Sequence, residues 1–488
     1  MPFVPVILWT DALVFVLLAV VALFAWYVRG HEHLRAPWAR VARTPAAMSA
    51  LVPLVVFILI GLSDSIHFRL ALNAAPGAQV SNAAVLKSVA YAVDVKSVLD
   101  TLLSSLADKP ERTYSAPLAT HAYSRETIEL PGGRQVRDYP RLTYGGAHLK
   151  DPALDWRADV LVTAFRGVAL ALPVWLALSL LLVSACSPAE RVASREFWLA
   201  VWGGRTQVPW RAISIALGLL LSAAVPTALL SANYHVFGTD KVGQDVLYLS
   251  LKSVRTALVI GTLTTLVMLP FAVMLGIMAG YLRGWVDDVI QYLYTTLNSI
   301  PGVLLIAASI LVLQVYIENH AELFPTAAQR ADFRLLFLCL ILGVTSWTGL
   351  CRLLRGEALK LRELEYVQAA QAFGVSDWRI MLRHILPNVM HIVMISVVMD
   401  FSGLVLAEAV LSYVGVGVDP SMNSFGTMIN AARMEMSREP MVWWTLASAF
   451  VFMLALVLAA NLFADAVRDA FDPRVRAGSR PAFTLKAT

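Results

Sequence analysis

Residues 365–388 read EYVQAAQAFGVSDWRIMLRHILPN, a polar and charged stretch that lies between two long apolar runs. Its apolar spacing predicts a helix, a break at Gly374, a second helix and a stop at Pro387. In a chain this apolar, an ordered amphipathic stretch between two candidate membrane spans needs a surface that covers it. We therefore expect another protein to dock on these residues.

The composition is that of a membrane protein. Of the 488 residues, 58% are hydrophobic and 15% are charged, whereas soluble domains carry roughly 25% charged residues. A bilayer span needs about 20 mainly apolar residues. The sequence therefore predicts an all-α polytopic membrane protein of about nine transmembrane helices. The nine stretches are 6–28, 47–63, 159–185, 210–231, 254–281, 299–317, 334–351, 389–416 and 441–466.

Lysine and arginine residues in the short loops predict how the spans are oriented. They are concentrated in 29–47, in 186–211, around 363–387 and after residue 466, and such loops favour the cytoplasm. Alternation of the nine spans places all four regions on one side. The N-terminus is then external, the C-terminus is cytoplasmic, and the protein is a multi-pass component of the cytoplasmic (inner) membrane. The first apolar run lacks signal-peptide features, so we expect an anchor.

The segment 64–158 is external in this topology and is less apolar than the spans. Residues 81–106 have apolar side chains at near-helical spacing, while 127–136 alternate and turn at Pro131-Gly132-Gly133 like a β-hairpin. The segment contains no cysteine, so it needs no disulfide to face an oxidising compartment. We expect a small external insert of mixed α/β structure that leans on the membrane core or on a partner.

Further motifs follow one another in the second half of the chain. The first is HVFGTDKVGQD, in which the residues of interest are Gly238, Thr239, Asp240, Gly243 and Asp245. GYLRGWVD begins at residue 280, EAVLSYVGVG begins at 408, and NLFADAVRDAFDPR begins at 461. Together with 365–388, these motifs make residues 210–476 resemble the C-type permease of oligopeptide and dipeptide ABC importers.

The resemblance implies a role for the opening stretch as the EAA loop, here 363–387, which couples the permease to an ATPase. The coupling residues carried over are Glu365, Gln368, Ala369, Ala370, Gly374, Leu386 and Pro387. Gln368 stands where the family has a glutamate, although the helix–break–helix pattern is retained. Two small residues allow another protein to approach closely, and Gly374 turns the chain.

The resemblance also implies partners. These are a homologous second permease subunit, two ABC ATPase subunits, an external substrate-binding protein and the lipid bilayer. The chain has no Gly-x4-Gly-Lys-Ser/Thr motif, so it is expected to bind no cofactor and to catalyse no reaction, with ATP and Mg on a partner. We assign no metal site and expect no nucleic acid. The implied substrates are di- or oligopeptides.

Two ionisable residues, Asp400 and Glu408, fall within a predicted span, where charges usually pair or face a cavity. They are candidates for gating or for the substrate path. Two other functions remain open at this stage: an ion- or proton-coupled carrier that uses these residues as relays, and a membrane-anchored sensor that uses the insert. The predicted division is 1–63 (two spans), 64–158 (insert), 159–209 (a span and a linker), 210–476 (permease core) and 477–488 (tail).

Overall fold

The computed structural model describes residues 3–71, 91–92, 94–130, 134–186 and 195–471. Within these ranges the fold is dominated by α-helices. The helices of the N-terminal half are α1 (Trp9–Arg29), α2 (Glu32–Val41), α3 (Pro45–Asp64), α4 (Val98–Leu102), α5 (Ser104–Ala107), α6 (Pro152–Cys186), α7 (Arg195–Trp202) and α8 (Trp210–Ser231). Those of the C-terminal half are α9 (Val246–Leu282), α10 (Trp285–Ser299), α11 (Gly302–Asn319), α12 (Ala327–Arg362), α13 (Glu365–Ala372), α14 (Asp377–Ile380), α15 (Leu386–Tyr413), α16 (Phe425–Glu435) and α17 (Trp444–Phe471).

The predicted number of spans is confirmed. Within the described ranges, nine helical stretches are long and apolar enough to cross a membrane, and each overlaps a predicted span. They are α1, α3, α6, α8, α9, α11, α12, the continuous stretch from α14 through α15, and α17. The protein is therefore an all-α, multi-pass membrane protein with few strands.

The centre of the fold is the pair α9 and α12, which pack against each other along most of their length. A Cβ on Gly276 would lie 2.8 Å from the Cys351 carbonyl oxygen, and one on Gly280 would lie 2.5 Å from that of Arg355. These two glycines therefore let the helix backbones approach closely. With 37 residues, α9 is about 55 Å long, longer than the roughly 30 Å hydrocarbon core.

The insert contributes to two small antiparallel sheets, one of which also includes a strand from the N-terminal segment. Strand β2 (His67–Leu70) pairs on one side with β1 (Phe3–Val6) and on the other with β3 (Lys96–Ser97). Strands β4 (Glu126–Leu130) and β5 (Arg134–Asp138) pair from Glu126 with Asp138 to Leu130 with Arg134. The hairpin prediction is confirmed for the strands, while its turn at 131–133 lies outside the described residues.

The predicted helix over 81–106 is wrong over the described residues between 91 and 97, whereas Val98–Leu102 and Ser104–Ala107 are helical as predicted. Tyr91 forms a β-bridge, Lys96–Ser97 is strand β3, and helix begins at Val98. Strand pairing with β2 ends the extended segment, and a capping box then starts α4: Ser97 Oγ accepts from the Asp100 amide at 3.1 Å, and Asp100 Oδ2 accepts from the Ser97 amide at 2.8 Å. Residues 81–90 and 93 lie outside the described ranges.

The predicted helix stop at Pro387 is also wrong. The helix continues from α14 through one π-helical turn, Met381–Ile385, into α15, and Pro387 lies in the first turn of α15. A proline at that position needs no amide hydrogen bond to the preceding turn. The widened π turn relieves the clash that would otherwise end the helix.

Candidate functional site

The 363–387 loop forms two short helices that are joined by a turn at Gly374. Gly374 has φ = +74°, and the Val375 amide donates to the Ala370 carbonyl at 3.1 Å. This is the left-handed conformation that favours glycine at the end of a helix. The predicted helix–break–helix geometry is therefore confirmed up to α14.

Tyr281, at the end of α9, holds the loop against the membrane core. Its hydroxyl donates to Asp377 Oδ1 and accepts from Gln371 Nε2, both at 2.9 Å. Its carbonyl oxygen accepts from Arg362 Nη1, also at 2.9 Å. Tyr281 thus links α13 and α14 directly to α9.

A second contact secures the neighbouring α9–α10 turn. Arg355 of α12 donates two hydrogen bonds to Asp287, at 2.6 and 2.7 Å. These bonds hold the pKa of the Asp287 carboxyl below its usual range, since they favour the ionised form. Asp287 belongs to the GYLRGWVD motif, so the motif has a structural role here.

The predicted coupling residues differ in their exposure to solvent. Glu365, Gln368, Ala369, Gly374 and Pro387 are exposed, while Ala370 and Leu386 are half-buried and pack against the core. Two exposed aromatic residues of the loop were not predicted from the sequence: Phe373, which is 87% exposed, and Trp378, which is 53% exposed. Val367 and Ile380 are fully buried and fix the two helices. The loop is therefore rigid on one side and presents aromatic side chains on the other.

The HVFGTDKVGQD motif forms an insert-binding turn, residues 235–245. Thr239 is its centre: its amide donates to the Ser115 carbonyl at 3.1 Å, and its hydroxyl donates to the Thr113 carbonyl at 2.8 Å. The Ser115 amide in turn donates to Thr239 Oγ1 at 2.7 Å. The insert is therefore bonded to the membrane core through backbone as well as side-chain groups.

Two glycines make that close approach sterically feasible. A Cβ on Gly238 would lie 2.4 Å from the Ser115 carbonyl oxygen, and a Cβ on Gly243 would lie 1.9 Å from that of Glu111. Both have positive φ, +72° and +81°. The two carboxylates of the motif have local roles. Asp240 accepts a hydrogen bond from the Gln244 amide at 2.8 Å, and Asp245 caps α9 by accepting one from the Leu247 amide at 2.8 Å.

A buried charge cluster reinforces the turn. His235 Nδ1 lies 2.7 Å from Asp245 Oδ2, and His235 Nε2 lies 3.6 Å from Glu111 Oε1. Burial by itself would lower the pKa of His235, but these two carboxylates raise it to about 9. For the Glu111 carboxyl group the directions are reversed. Burial alone would raise its pKa, but hydrogen bonds from His235 and from the amides of Tyr144, Thr143 and Gly145 lower it to about 2.

Other insert residues contact the loop and helices that precede α17. The Tyr114 hydroxyl donates to Glu435 Oε1 at 3.3 Å, and the Tyr123 hydroxyl donates to the Met441 carbonyl at 3.0 Å. Trp444 Nε1 donates to the Thr239 carbonyl at 2.9 Å. The insert-binding turn, the insert and the start of α17 thus form one continuous packed unit.

Helix α9 connects the two regions. Tyr248 at its start donates to Asp100 of the insert at 2.8 Å, whereas Tyr281 near its end contacts the 363–387 loop. Because α9 crosses the membrane, the insert and the loop lie on opposite sides of it. This agrees with the alternation that the sequence predicts.

The candidate gating residues are separate from each other. Glu408 is 1% exposed and accepts from Ser412 Oγ at 2.7 Å, which fixes the end of α15. Asp400 lies eight residues earlier, about 12 Å along the helix, and is half-buried. Their predicted role in gating or in the path stays a prediction.

Sequence analysis missed a group of ion pairs between the N-terminal segment and the core. Arg255 Nη2 lies 2.5 Å from Asp11 Oδ1, and Lys252 Nζ lies 2.8 Å from both Asp64 and Asp100. Asp332 accepts hydrogen bonds from the amide and hydroxyl of Thr10. Ionisable residues at the ends of four different spans were the available signal.

Comparison with known proteins identifies the family. The family described as binding-protein-dependent transport system inner membrane component matches residues 272–477. The dipeptide transport system permease protein DppC of Lactococcus lactis is 30% identical over 240 residues, which cover 49% of this chain and 64% of that protein.

Two further relatives match over a larger share of their length. The glutathione transport system permease protein GsiD of Pectobacterium atrosepticum is 31% identical, over 50% of this chain and 73% of that protein. The oligopeptide transport system permease protein OppC of Mycobacterium tuberculosis is 32% identical, over 50% and 77%. About half of the chain thus has counterparts in these proteins. The chain belongs to the dipeptide and oligopeptide permease family of binding-protein-dependent transport systems.

Proposed function

We propose that this chain is a permease subunit of an ATP-driven ABC importer for di- or oligopeptides. In this proposal it forms the substrate path together with a homologous second permease subunit. Two separate ATPase subunits bind ATP and Mg, and an external binding protein delivers the substrate. Family membership supports the transport role, and the dipeptide and oligopeptide systems to which relatives belong support short peptides as the substrate.

The observation that carries the proposal is the 363–387 loop. Its inner face is fixed by the fully buried Val367 and Ile380, while Phe373 and Trp378 project into solvent. A rigid backbone that presents exposed aromatic side chains is typical of a protein-binding surface, because aromatic anchors supply much of the binding energy of an interface. We assign the ATPase subunit as the protein that covers it.

The proposed orientation places the 363–387 loop in the cytoplasm and the insert outside. The N-terminus is then external and the C-terminus is cytoplasmic. The arginine and lysine residues that flank the loop support this orientation through the positive-inside rule.

Coupling in this proposal follows the contact between the loop and α9. When the ATPase subunits close, they move α13 and α14, and the bonds from Tyr281 to Gln371 and Asp377 transmit that movement to α9. ATP changes the balance between inward-open and outward-open states only if it stabilises one of them more than the other. The movement of α9 supplies the structural difference.

Reconstituted transport tests the proposal. Proteoliposomes with the two permeases, the ATPases and the binding protein are expected to take up labelled dipeptide only with ATP, and replacing the phosphate-binding lysine of the ATPase should abolish uptake. Uptake that persists without ATP and disappears when the proton gradient is collapsed would instead support a proton-coupled carrier. Ligand binding without any uptake would support a sensor.

A further inference from the structure

A polar cavity lies where the N-terminal segment, the insert and the permease core meet. Its volume is about 360 Å³, within the range of small-molecule sites, about 300–1,000 Å³. Its charged lining comes from separate parts of the chain: Asp64, His67, Asp100, Lys252, Arg255 and Asp332. The cavity is at the same end of α9 as the insert.

The charges around this cavity do not balance. Asp64, Asp100 and Asp332 line it, and Asp11 pairs with Arg255 behind the wall. These four carboxylates face two permanent cations, Lys252 and Arg255, and one histidine, His67, which lies 2.7 Å from Asp11. With all four carboxylates ionised, the formal charge of these groups is negative, which favours a further positive charge in the cavity.

The cations retain hydrogen-bonding capacity. Arg255 is 5% exposed, and its hydrogen bonds to described residues leave from Nε and Nη2, so that Nη1 has no partner among them. Lys252 donates to one carboxylate and lies 2.8 Å from another, while an ammonium group carries three N–H donors. An acceptor such as a carboxylate or a peptide carbonyl would satisfy the remaining donors.

Neutral groups complete the lining. The Asn423 side-chain amide also has no hydrogen-bond partner in the described ranges, although its backbone carbonyl accepts from Thr256 at 2.7 Å. Leu8, Val95 and Met422 provide apolar surface in the same cavity. The cavity thus combines an excess of carboxylates, two cations that have further N–H donors without a partner in the described ranges, an amide and an apolar wall.

We propose that this cavity binds a small zwitterion with a protonated amine, such as the free amino terminus of a short peptide. The ammonium lies among Asp64, Asp100 and Asp332, the carbonyl or carboxylate oxygens face Arg255 and Lys252, and Asn423 binds the peptide group. The choice of a peptide rests on the proposed function. The site itself depends on the N-terminal segment and insert, which lie outside the family match.

Direct binding tests the site. The assembled complex in nanodiscs, without binding protein, is expected to bind labelled dialanine saturably and to bind N-acetyl-dialanine at least about tenfold more weakly, because the acetyl group removes the charge. Asp100→Asn keeps the size of the side chain and should weaken dialanine binding about tenfold while leaving N-acetyl-dialanine unaffected. Asn423→Ala, which changes an amide without a described partner, should weaken both peptides.

The matched control is Asp159→Asn, which alters an insert-side carboxylate that does not line the cavity, and it should bind dialanine like the wild type. Equal binding of the two peptides, absence of saturable binding, or unchanged affinity in Asp100→Asn would each overturn the site. ATP-dependent uptake by the wild-type complex is measured separately. If uptake is normal and Asp100→Asn has no effect on binding, the proposed binding site is wrong while the proposed importer function stands. If the wild-type complex shows no uptake, the proposed importer function is wrong.

Discussion

Gly243 and Gly374 share a left-handed backbone, with φ = +81° and +74°, yet their surroundings differ. A Cβ on Gly243 would lie 1.9 Å from the Glu111 carbonyl oxygen, whereas one on Gly374 would meet nothing within 4 Å among the described residues. Gly243 is enclosed by the insert of its own chain, and Gly374 is next to the exposed Phe373. Among the described residues, the chain therefore covers one of these glycines with its own insert and leaves the surface at the other exposed.

The largest expected effect follows from placing the same methyl group at both glycines. Gly243→Ala combines left-handed strain with a clash against backbone, and should destabilise the protein by about 4 kcal/mol. Gly374→Ala adds strain alone and should cost about 1–2 kcal/mol. Thermal unfolding of the purified protein, together with protease sensitivity of the insert, measures both. Equal losses at the two positions would contradict the contrast between them.

The second effect is a pH dependence of the attachment of the insert. The pKa of His235 is raised to about 9, from about 6.5 in an unfolded chain. Its stabilising contribution is therefore complete below about pH 6.5 and is lost as the pH rises through 9, by on the order of 3 kcal/mol. The pKa of Glu111 is lowered to about 2, so its contribution is present above about pH 4.5 and is lost as the pH falls through 2.

Proteolytic release of the insert at different pH values checks this prediction. Insert attachment should be strongest between about pH 4.5 and 6.5 and should weaken towards pH 9. His235→Gln removes the titrating group and should flatten the alkaline part of the profile. A profile that stays the same in this variant would show that another group controls attachment.

The third effect concerns the open end. Phe373→Ala removes an aromatic side chain that is 87% exposed, so it should leave folding unchanged. If Phe373 anchors the ATPase, its loss should weaken association by about 2 kcal/mol, roughly 30-fold. Titration of the purified ATPase onto the permease gives the affinity. Leu102→Ala, at a side chain that is 69% exposed on the insert, is the control and should have no effect on this affinity.

Much of the fold could be predicted because long apolar runs have a direct physical meaning in a membrane. The nine spans, the hairpin strands and the turn at Gly374 all follow from local patterns of this kind. The helix at 81–106 was wrong over 91–97 because pairing with the distant strand β2 overrides local helical spacing. Pro387 was misread since a proline in the first turn of a helix has the same sequence signal as one that ends it.

The sites were less predictable because they also depend on contacts between residues that are far apart in the sequence. The Gly-Thr-Asp motif could be located from its sequence, but its contact with Ser115 joins residues 124 positions apart. The pairing of Asp11 with Arg255 joins residues even further apart, and no local pattern in either segment indicates it. Phe373 was overlooked because an exposed aromatic residue cannot be distinguished from a buried one by its neighbours in sequence.

Thiol labelling in intact cells and inside-out vesicles tests most directly whether one end is open to a partner and the other is not. In a Cys186→Ser background, Phe373→Cys and Leu102→Cys are compared with and without the ATPase subunits. The account predicts that an impermeant reagent labels residue 373 in inside-out vesicles alone, that the ATPase protects it, and that residue 102 is labelled in intact cells regardless of the ATPase. Labelling of residue 373 in intact cells, or labelling that the ATPase does not reduce, would contradict it.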